Sequence, residues 1–353
     1  MHPRLAALLD AGQAVWLDYI RRDLLDTGEL RRLVDDGVRG LTSNPTIFHK
    51  AIAETSLYDA TITAHAEDEP EGIYERLAVA DIREAADVFS PVYEATDGRD
   101  GFVSLEVSPH LAYDVEGTVA DARRLWATVD RPNLMIKVPA TPEGVTAIET
   151  LVAEGINVNA TLMFGLHHYE AVATAYLRGV ARARRPTASV ASFFVSRIDT
   201  KVDAALEGLA DPGAGTLRGT IAVANAKLAY RRFRELFADA EAVQRPLWAS
   251  TSTKNPAYPD VLYVEELVGE HTVNTMPPAT LEAFLDHGRV VPGAVERDVE
   301  EAAERIDRLG ELGIDFHEIT ETLQREGVEA FARSYDELLA AIDAKRRALV
   351  AGS

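Results

Sequence analysis

Apolar residues along this chain collect into eight short, nearly continuous runs, separated by longer stretches in which they recur every three or four positions. The runs fall at residues 14–18, 38–42, 102–107, 134–138, 156–161, 189–195, 247–250 and 272–275. A short unbroken apolar run suits a strand buried on both faces, as in a parallel sheet. The intervening segments, among them 115–128, 142–153 and 165–182, carry the period of an amphipathic helix. Thr141 followed by Pro142 reads as an N-cap and first helical residue, and Thr118 as the start signal of another helix. Strand and helix alternate eight times without a break in composition, which predicts a (β/α)8 barrel rather than an open doubly wound sheet. The expectation is one domain over residues 1–353.

Three segments depart from the repeat. Residues 5–11 form an amphipathic helix ahead of the first strand, expected to cover one end of the barrel. Residues 58–95 are long enough for two helices, divided near 67–72. The charged stretch 295–353 is a helical C-terminal extension, read as solvated helices packing on the barrel; a helix crossing the barrel mouth is the alternative. The glycine-rich stretch 211–219 lacks the Gly-Lys-Ser/Thr ending of a phosphate loop and is an ordinary connection.

Composition narrows the chemistry. With 353 residues, 47% hydrophobic and 26% charged, the chain can bury a large core. It has no run near the roughly 18 apolar residues of a membrane helix, and its first residues lack a leader's apolar core and cleavage site. A cytoplasmic protein with no membrane partner is expected. The absence of cysteine removes disulfides, thiolate metal sites and cysteine nucleophiles. A formal charge of −21 repels nucleic acid, so an anionic substrate needs a local cluster of cations.

Barrel enzymes place their chemistry where the C-terminal ends of the strands converge. Here those ends carry Asp18, Asn44, Glu106, Lys137, Asn159 with Thr161, Ser192 with Arg197, Ser250 with Lys254, and Asn274. Lys137 stands between Ile136 and Val138 in a strand that must be buried, a rare place for lysine. Two readings are open: an ion pair with Glu106 that holds the amine charged and inert, or an amine kept uncharged by burial and a cation such as Arg197, free to attack a carbonyl. Asp18 and Glu106 are either structural partners of that lysine or the two acids that Schiff-base chemistry requires. Arg197 opens a helix above the mouth and suits a phosphate monoester, with Ser250 and Lys254 adding donors. His167 and His168 are adjacent and should point apart on a helix, and His65, His271 and His287 have no partner at ligand spacing, so no metal is expected. The charge run 296–308 reads as a solvated helix face.

These residues lie in six blocks that resemble the transaldolase family: GLTSNPTIF (40–48), SLEVSPHLAYD (104–114), NLMIKVPAT (133–141), GINVNATLMF (155–164), VASFFVSRID (190–199) and LWASTSTKNPAY (247–258). All six stand in family order, and the similarity is greatest to the longer bacterial subgroup with a helical C-terminal extension. The resemblance implies that Lys137 is the Schiff-base lysine. It also implies that Glu106 works through a water oriented by Thr161, and that Asp18 takes the substrate hydroxyl proton during carbon–carbon cleavage. Asn44 and Asn159 match asparagines that position the bound ketol; Ser192, Arg197 and Phe194 match substrate, phosphate and pocket-lining contacts. Where many relatives carry an arginine after the seventh strand, this chain has Lys254, which lacks the planar fork for bidentate binding. The implied reaction moves a dihydroxyacetone unit from sedoheptulose 7-phosphate or fructose 6-phosphate to glyceraldehyde 3-phosphate or erythrose 4-phosphate. The lysine serves as electron sink, and no cofactor is implied. Two rivals stand beside it: a fructose-6-phosphate aldolase, which tends to lack the Glu106 acid, and a non-catalytic sugar-phosphate-binding barrel. Either a monomer or a homodimer is compatible.

Overall fold

The computed structural model describes residues 1–211 and 213–351; Pro212, in the 211–219 connection, lies outside the described residues, as do Gly352 and Ser353. Eight parallel strands close on themselves in sequence order. They are β1 (Gln13–Asp18), β2 (Gly40–Thr42), β3 (Phe102–Glu106), β4 (Leu134–Pro139), β5 (Val158–Met163), β6 (Ser189–Phe194), β7 (Gln244–Ala249) and β8 (Thr272–Met276). β1 pairs with β8 to complete the barrel, with Val15 opposite Asn274. All eight are buried almost along their whole length, which is why they read as continuous apolar runs.

The strands β2 and β5 start two residues later than expected, whereas β1 and β7 start earlier, and these two for one reason. Gln13, Gln244 and Arg245 are polar, so an apolar reading omits them, yet all three are buried and bonded at the N-terminal end of the barrel. Gln13 donates to the Leu267 carbonyl (2.7 Å) and to Thr272 Oγ1 (3.0 Å), and Gln244 donates to Ser189 Oγ (2.8 Å). Arg245 crosses from β7 to Asp100, just before β3, donating to its Oδ1 at 2.7 Å and to the carbonyls of Arg99 and Thr272. These groups form a hydrogen-bonded floor that apolar side chains alone would not pin.

Helix signals mostly hold. Thr141 caps Pro142–Ala153 by accepting from Gly144 N (3.0 Å). The helix Val115–Val129, however, is capped by Asp114, which accepts from Gly117 N. Thr118 sits inside that helix, its hydroxyl returned to the Leu111 carbonyl. Residues 58–95 do divide, into Asp59–Ala64 and Pro70–Ala95. The first helix, Pro3–Asp10, is fixed at the floor side through Arg4, whose Nε donates to the Gly288 carbonyl.

The C-terminal helix corrects the reading of a solvated tail. Phe316–Ala351 has 36 residues, about 54 Å at 1.5 Å per residue, long enough to span the barrel. It crosses the mouth. Gln324 donates to the carbonyls of Ala140 (2.9 Å) and Leu162 (3.1 Å), and Thr46 donates to Ser334 Oγ (2.9 Å). Farther along, Lys345 bonds Asp59 Oδ1 (3.0 Å) and Arg346 the Asp68 carbonyl (2.7 Å). The Leu162 contact has a local cause: β5 bulges between Ala160 and Met163, with Leu162 at φ 61°, a left-handed conformation rare for a bulky residue. The bulge frees a carbonyl that the helix satisfies.

The floor offers a test that leaves the mouth untouched. Asp100→Ala strands the Arg245 guanidinium in a buried site, so stability should fall by about 3 kcal/mol. Denaturant midpoints would register the loss, and turnover of the folded fraction should stay at the wild-type value.

Candidate active site

Strand register brings the chemistry together. β3 pairs with β4 so that Glu106 lies opposite Lys137, and β4 pairs with β5 so that Lys137 lies opposite Asn159. Lys137 is only 4% exposed. Its Nζ donates to the Ser43 carbonyl at 2.9 Å and stands 3.4 Å from Glu106 Oε2. The second contact is an ion pair without directed hydrogen-bond geometry, and Glu106 Oε2 is left buried with no donor among the described residues. Asp18 ends β1 nearby and is held by a chain of hydroxyls. Thr42 Oγ1 donates to Asp18 Oδ1 (2.7 Å) and itself lies 2.7 Å from Thr275 Oγ1.

Burial acts on both carboxylates in the same direction. It pushes Asp18 above the ordinary aspartate value, opposed by the charge of Lys137 and the Thr42 hydrogen bond. It does the same to Glu106, opposed again by Lys137. One amine thus serves two acids in a water-poor interior, which favours sharing a proton over fixing it on one group.

A cavity of about 310 Å³ opens from this cluster to the mouth. Asp18, Lys137, Thr161, Ser192 and Phe194 line its inner part, and Asn44, Arg197, Ser250 and Lys254 its outer part. Asn44 also caps the helix Pro45–Ala53 through its Oδ1, which accepts from Ile47 N at 3.0 Å, leaving its amide N–H groups for a ligand. Asn159 does not border the cavity. It lies below, fully buried, donating to Ser104 Oγ (3.0 Å) and accepting from Ser192 Oγ (2.6 Å), so it orients Ser192. Glu106 does not border it either, although Lys137, opposite it on β4, does. Thr161 Oγ1 is buried and unpartnered among the described residues.

The rim is positive on an otherwise acidic chain. Arg197 lies over the Phe194 ring, 5.3 Å from its centroid, and burial lowers its affinity for a proton while Glu326 opposes that. Lys254 is solvent-exposed, and its ammonium is held below the ordinary lysine value by partial desolvation at the rim, then by the charges of Arg197 and Lys50. Ser250, at φ 56°, ends β7 in a left-handed turn with its hydroxyl 2.9 Å from Ser196 Oγ. Three cations around one opening form a seat for a doubly charged anion such as a phosphate monoester.

Sequence reasoning missed Lys50, Thr42, Thr275 and Phe331. Lys50 lies on the helix after β2, and Phe331 comes from the crossing helix, its ring centroid 5.8 Å from Lys137 Nζ. Only a knowledge of where that helix runs could have found Phe331; it is a core-type residue in an amphipathic pattern. The adjacency argument about the histidines also fails in its geometry. His167 Nε2 and His168 Nε2 both reach Glu321 Oε1, at 2.7 and 2.8 Å. His168 Nδ1 accepts from the backbone N–H groups of Phe164 and Gly165, so its proton sits on Nε2 and is donated to Glu321. Burial, with the neighbouring His167, pushes His168 down to about 4. The pair fastens the crossing helix to the first turn of the helix that follows β5, Leu166–Val180.

Fold and site together define a (β/α)8-barrel enzyme organised around a buried lysine under a cationic rim. The chain belongs to the transaldolase/fructose-6-phosphate aldolase family, whose model matches residues 15–342. It is 50% identical to the transaldolase of Thermobifida fusca (strain YX), over 95% of this chain and 96% of that protein. It is 48% identical to the transaldolase of Frankia alni, over 96% of each chain, and 45% identical to that of Mycolicibacterium smegmatis, again over 96% of each.

The buried carboxylates make a signed prediction. Asp18 binds its proton more tightly folded than unfolded, so its contribution to stability is fullest below the ordinary aspartate value and is lost as pH rises through the raised one. Asp18→Asn removes that loss. The variant should melt higher than wild type at about pH 8, with the gap closing towards about pH 4, while turnover falls by about 10²–10⁴-fold. Thermal melts across that range, paired with turnover measurements, check both halves.

Proposed function

We infer that the protein is a transaldolase, transferring a three-carbon dihydroxyacetone unit from a ketose phosphate to an aldose phosphate through a Schiff base on Lys137. The observation that carries the reading is a lysine amine, 4% exposed, in contact with one carboxylate and electrostatically coupled to a second, at the inner end of a cavity with three cations at its rim. The cavity suits fructose 6-phosphate or sedoheptulose 7-phosphate lying with the phosphate at Arg197, Lys254 and Lys50 and the ketone at Lys137.

The chemistry follows from placement. Lys137 gives its ammonium proton to Glu106 across the ion pair, and the freed amine adds to the C2 carbonyl; Glu106 returns that proton to the carbinol oxygen as it leaves as water, and the unpartnered Thr161 hydroxyl suits holding that water. The resulting iminium draws electrons from the C3–C4 bond. Asp18, kept by Thr42 facing the cavity, takes the C4 hydroxyl proton as the bond breaks and the aldose phosphate leaves. The remaining enamine adds to the aldehyde of the second sugar phosphate, Asp18 returns the proton, and hydrolysis frees the product. Asn44 and Ser192 hydrogen-bond the ketol hydroxyls, and Asn159 positions Ser192. Phe331 and Phe194 keep bulk water from the enamine, which favours transfer over release.

The aldolase alternative uses the same lysine but lets the three-carbon ketone go. Glu106 and the relatives named transaldolase favour transfer. Supplied with fructose 6-phosphate and erythrose 4-phosphate, the enzyme should form sedoheptulose 7-phosphate, and without an acceptor it should release little dihydroxyacetone. Rapid stoichiometric release without acceptor would point to the aldolase. Glu106→Gln should lower transfer by about 10²–10³-fold, and Arg197→Ala should raise KM for both phosphorylated substrates more than it lowers kcat.

A further inference from the structure

The reaction makes no use of two buried carboxylates close to the phosphate end of the cavity. Asp199 and Asp203 stand one turn apart on the helix Ser196–Glu207, which carries Arg197 in its first turn, and they are 1% and 7% exposed. The donors they meet among the described residues are neutral and come from other segments. Asp199 accepts from the Ala222 N–H (2.7 Å) and the Tyr263 hydroxyl (2.8 Å). Asp203 accepts from the Gly219 N–H (3.0 Å) and the Tyr258 hydroxyl (2.6 Å). Two such acids side by side are costly: burial, and then the charge of Asp203, push Asp199 up to about 6 despite its hydrogen bonds.

The two tyrosines belong to one segment. They close the connection after β7, and the start of that connection carries Ser250, Ser252 and Lys254 at the cavity rim. Lys254 donates to Ser252 Oγ at 2.7 Å, and Asn255 tightens the turn that leads to Tyr258, accepting from Ala257 N (3.0 Å) and Tyr258 N (3.1 Å). Gly219 is fitted to the Tyr258 ring: it stands at φ 70°, and a Cβ there would come within 2.6 Å of the ring. The glycine-rich connection 211–219 thus ends as a cradle for that side chain.

We propose that Tyr258, anchored to Asp203, is a positioning residue for the phosphate seat, holding Lys254 at the spacing from Arg197 that a phosphate monoester requires. The proposal rests on the transaldolase reading and concerns the outer end of the same cavity. Arg197 and Lys254 stand on different elements, and Lys254, already held down by desolvation, is lowered further by the charges of Arg197 and Lys50. Left to itself, an exposed lysine on a loop would swing away from such neighbours into water. The Tyr258–Asp203 bond ties the loop to the helix that bears Arg197, and Tyr263–Asp199 ties its far end one turn nearer that arginine. The two cations are therefore set against one rigid helix, and a phosphorylated substrate meets a loop that is already ordered.

Acceptors that differ only in the phosphate read this contact. With fructose 6-phosphate saturating for each variant, release of erythrose 4-phosphate reports transfer to glyceraldehyde 3-phosphate or to unphosphorylated glyceraldehyde. Tyr258→Phe keeps the ring on Gly219 and removes only the hydroxyl. It should raise KM for glyceraldehyde 3-phosphate about tenfold, the worth of a hydrogen bond to a charged group, with kcat and the KM for glyceraldehyde unchanged. Lys254→Ala should raise the same KM, and adding Tyr258→Phe to it should change nothing further, because the tyrosine acts through that lysine. A folded Tyr258→Phe protein whose KM for glyceraldehyde 3-phosphate stays within about twofold of wild type overturns the proposal. So does an equal rise with both acceptors, or the full additional loss in the double variant. A wild-type enzyme with one KM for both acceptors overturns the phosphate seat instead, and one with no transfer overturns the transaldolase reading.

Discussion

Everything at the mouth of this barrel follows from placing one amine and two carboxylates where water is scarce. Charges in such an interior are costly unless paired, and among the described residues the three groups find their partners in one another and in a few fixed dipoles. Lys137 is held by the Ser43 carbonyl and Glu106, and Asp18 by Thr42. Burial drives both acids towards their protonated forms while the amine draws them back. Protons are therefore easily moved within the cluster, which is what a reaction with several proton transfers and no cofactor in its scheme requires.

The barrel sustains this arrangement by being rigid elsewhere. Its floor is closed by Gln13, Gln244 and the Arg245–Asp100 pair, and its mouth by a single long helix. That helix is fastened by the freed carbonyl of the β5 bulge and by the His167/His168–Glu321 contacts, so the same irregularity accompanies both the Thr161 side chain at the cavity and the seat of the roof.

The parallel strands and their order were legible because continuous apolar runs have few other uses, and Lys137, Asp18 and Glu106 stood out because charge inside such runs is rare. The starts of β1 and β7 were not legible, since Gln13, Gln244 and Arg245 look like loop residues until the floor is seen. The crossing helix was not legible either. Its amphipathic pattern records that one face is buried, not that the surface beneath is the barrel mouth, so Phe331 and its neighbours carried no signal. Asn159 was legible as a polar strand end, but its place below Ser192, away from the cavity, depends on register that spacing leaves open. Lys50 was lost among ordinary surface lysines, and only its position beside Arg197 and Lys254 gives it meaning.

The central claim is that Lys137, and no other lysine, bonds covalently to the substrate. Borohydride reduction of the protein incubated with fructose 6-phosphate, followed by peptide mass mapping, tests it most directly. The account predicts one dihydroxyacetone-derived adduct per chain, on the peptide containing residues 133–141 and absent from Lys137→Ala. An adduct on another lysine, or none at all, would contradict it.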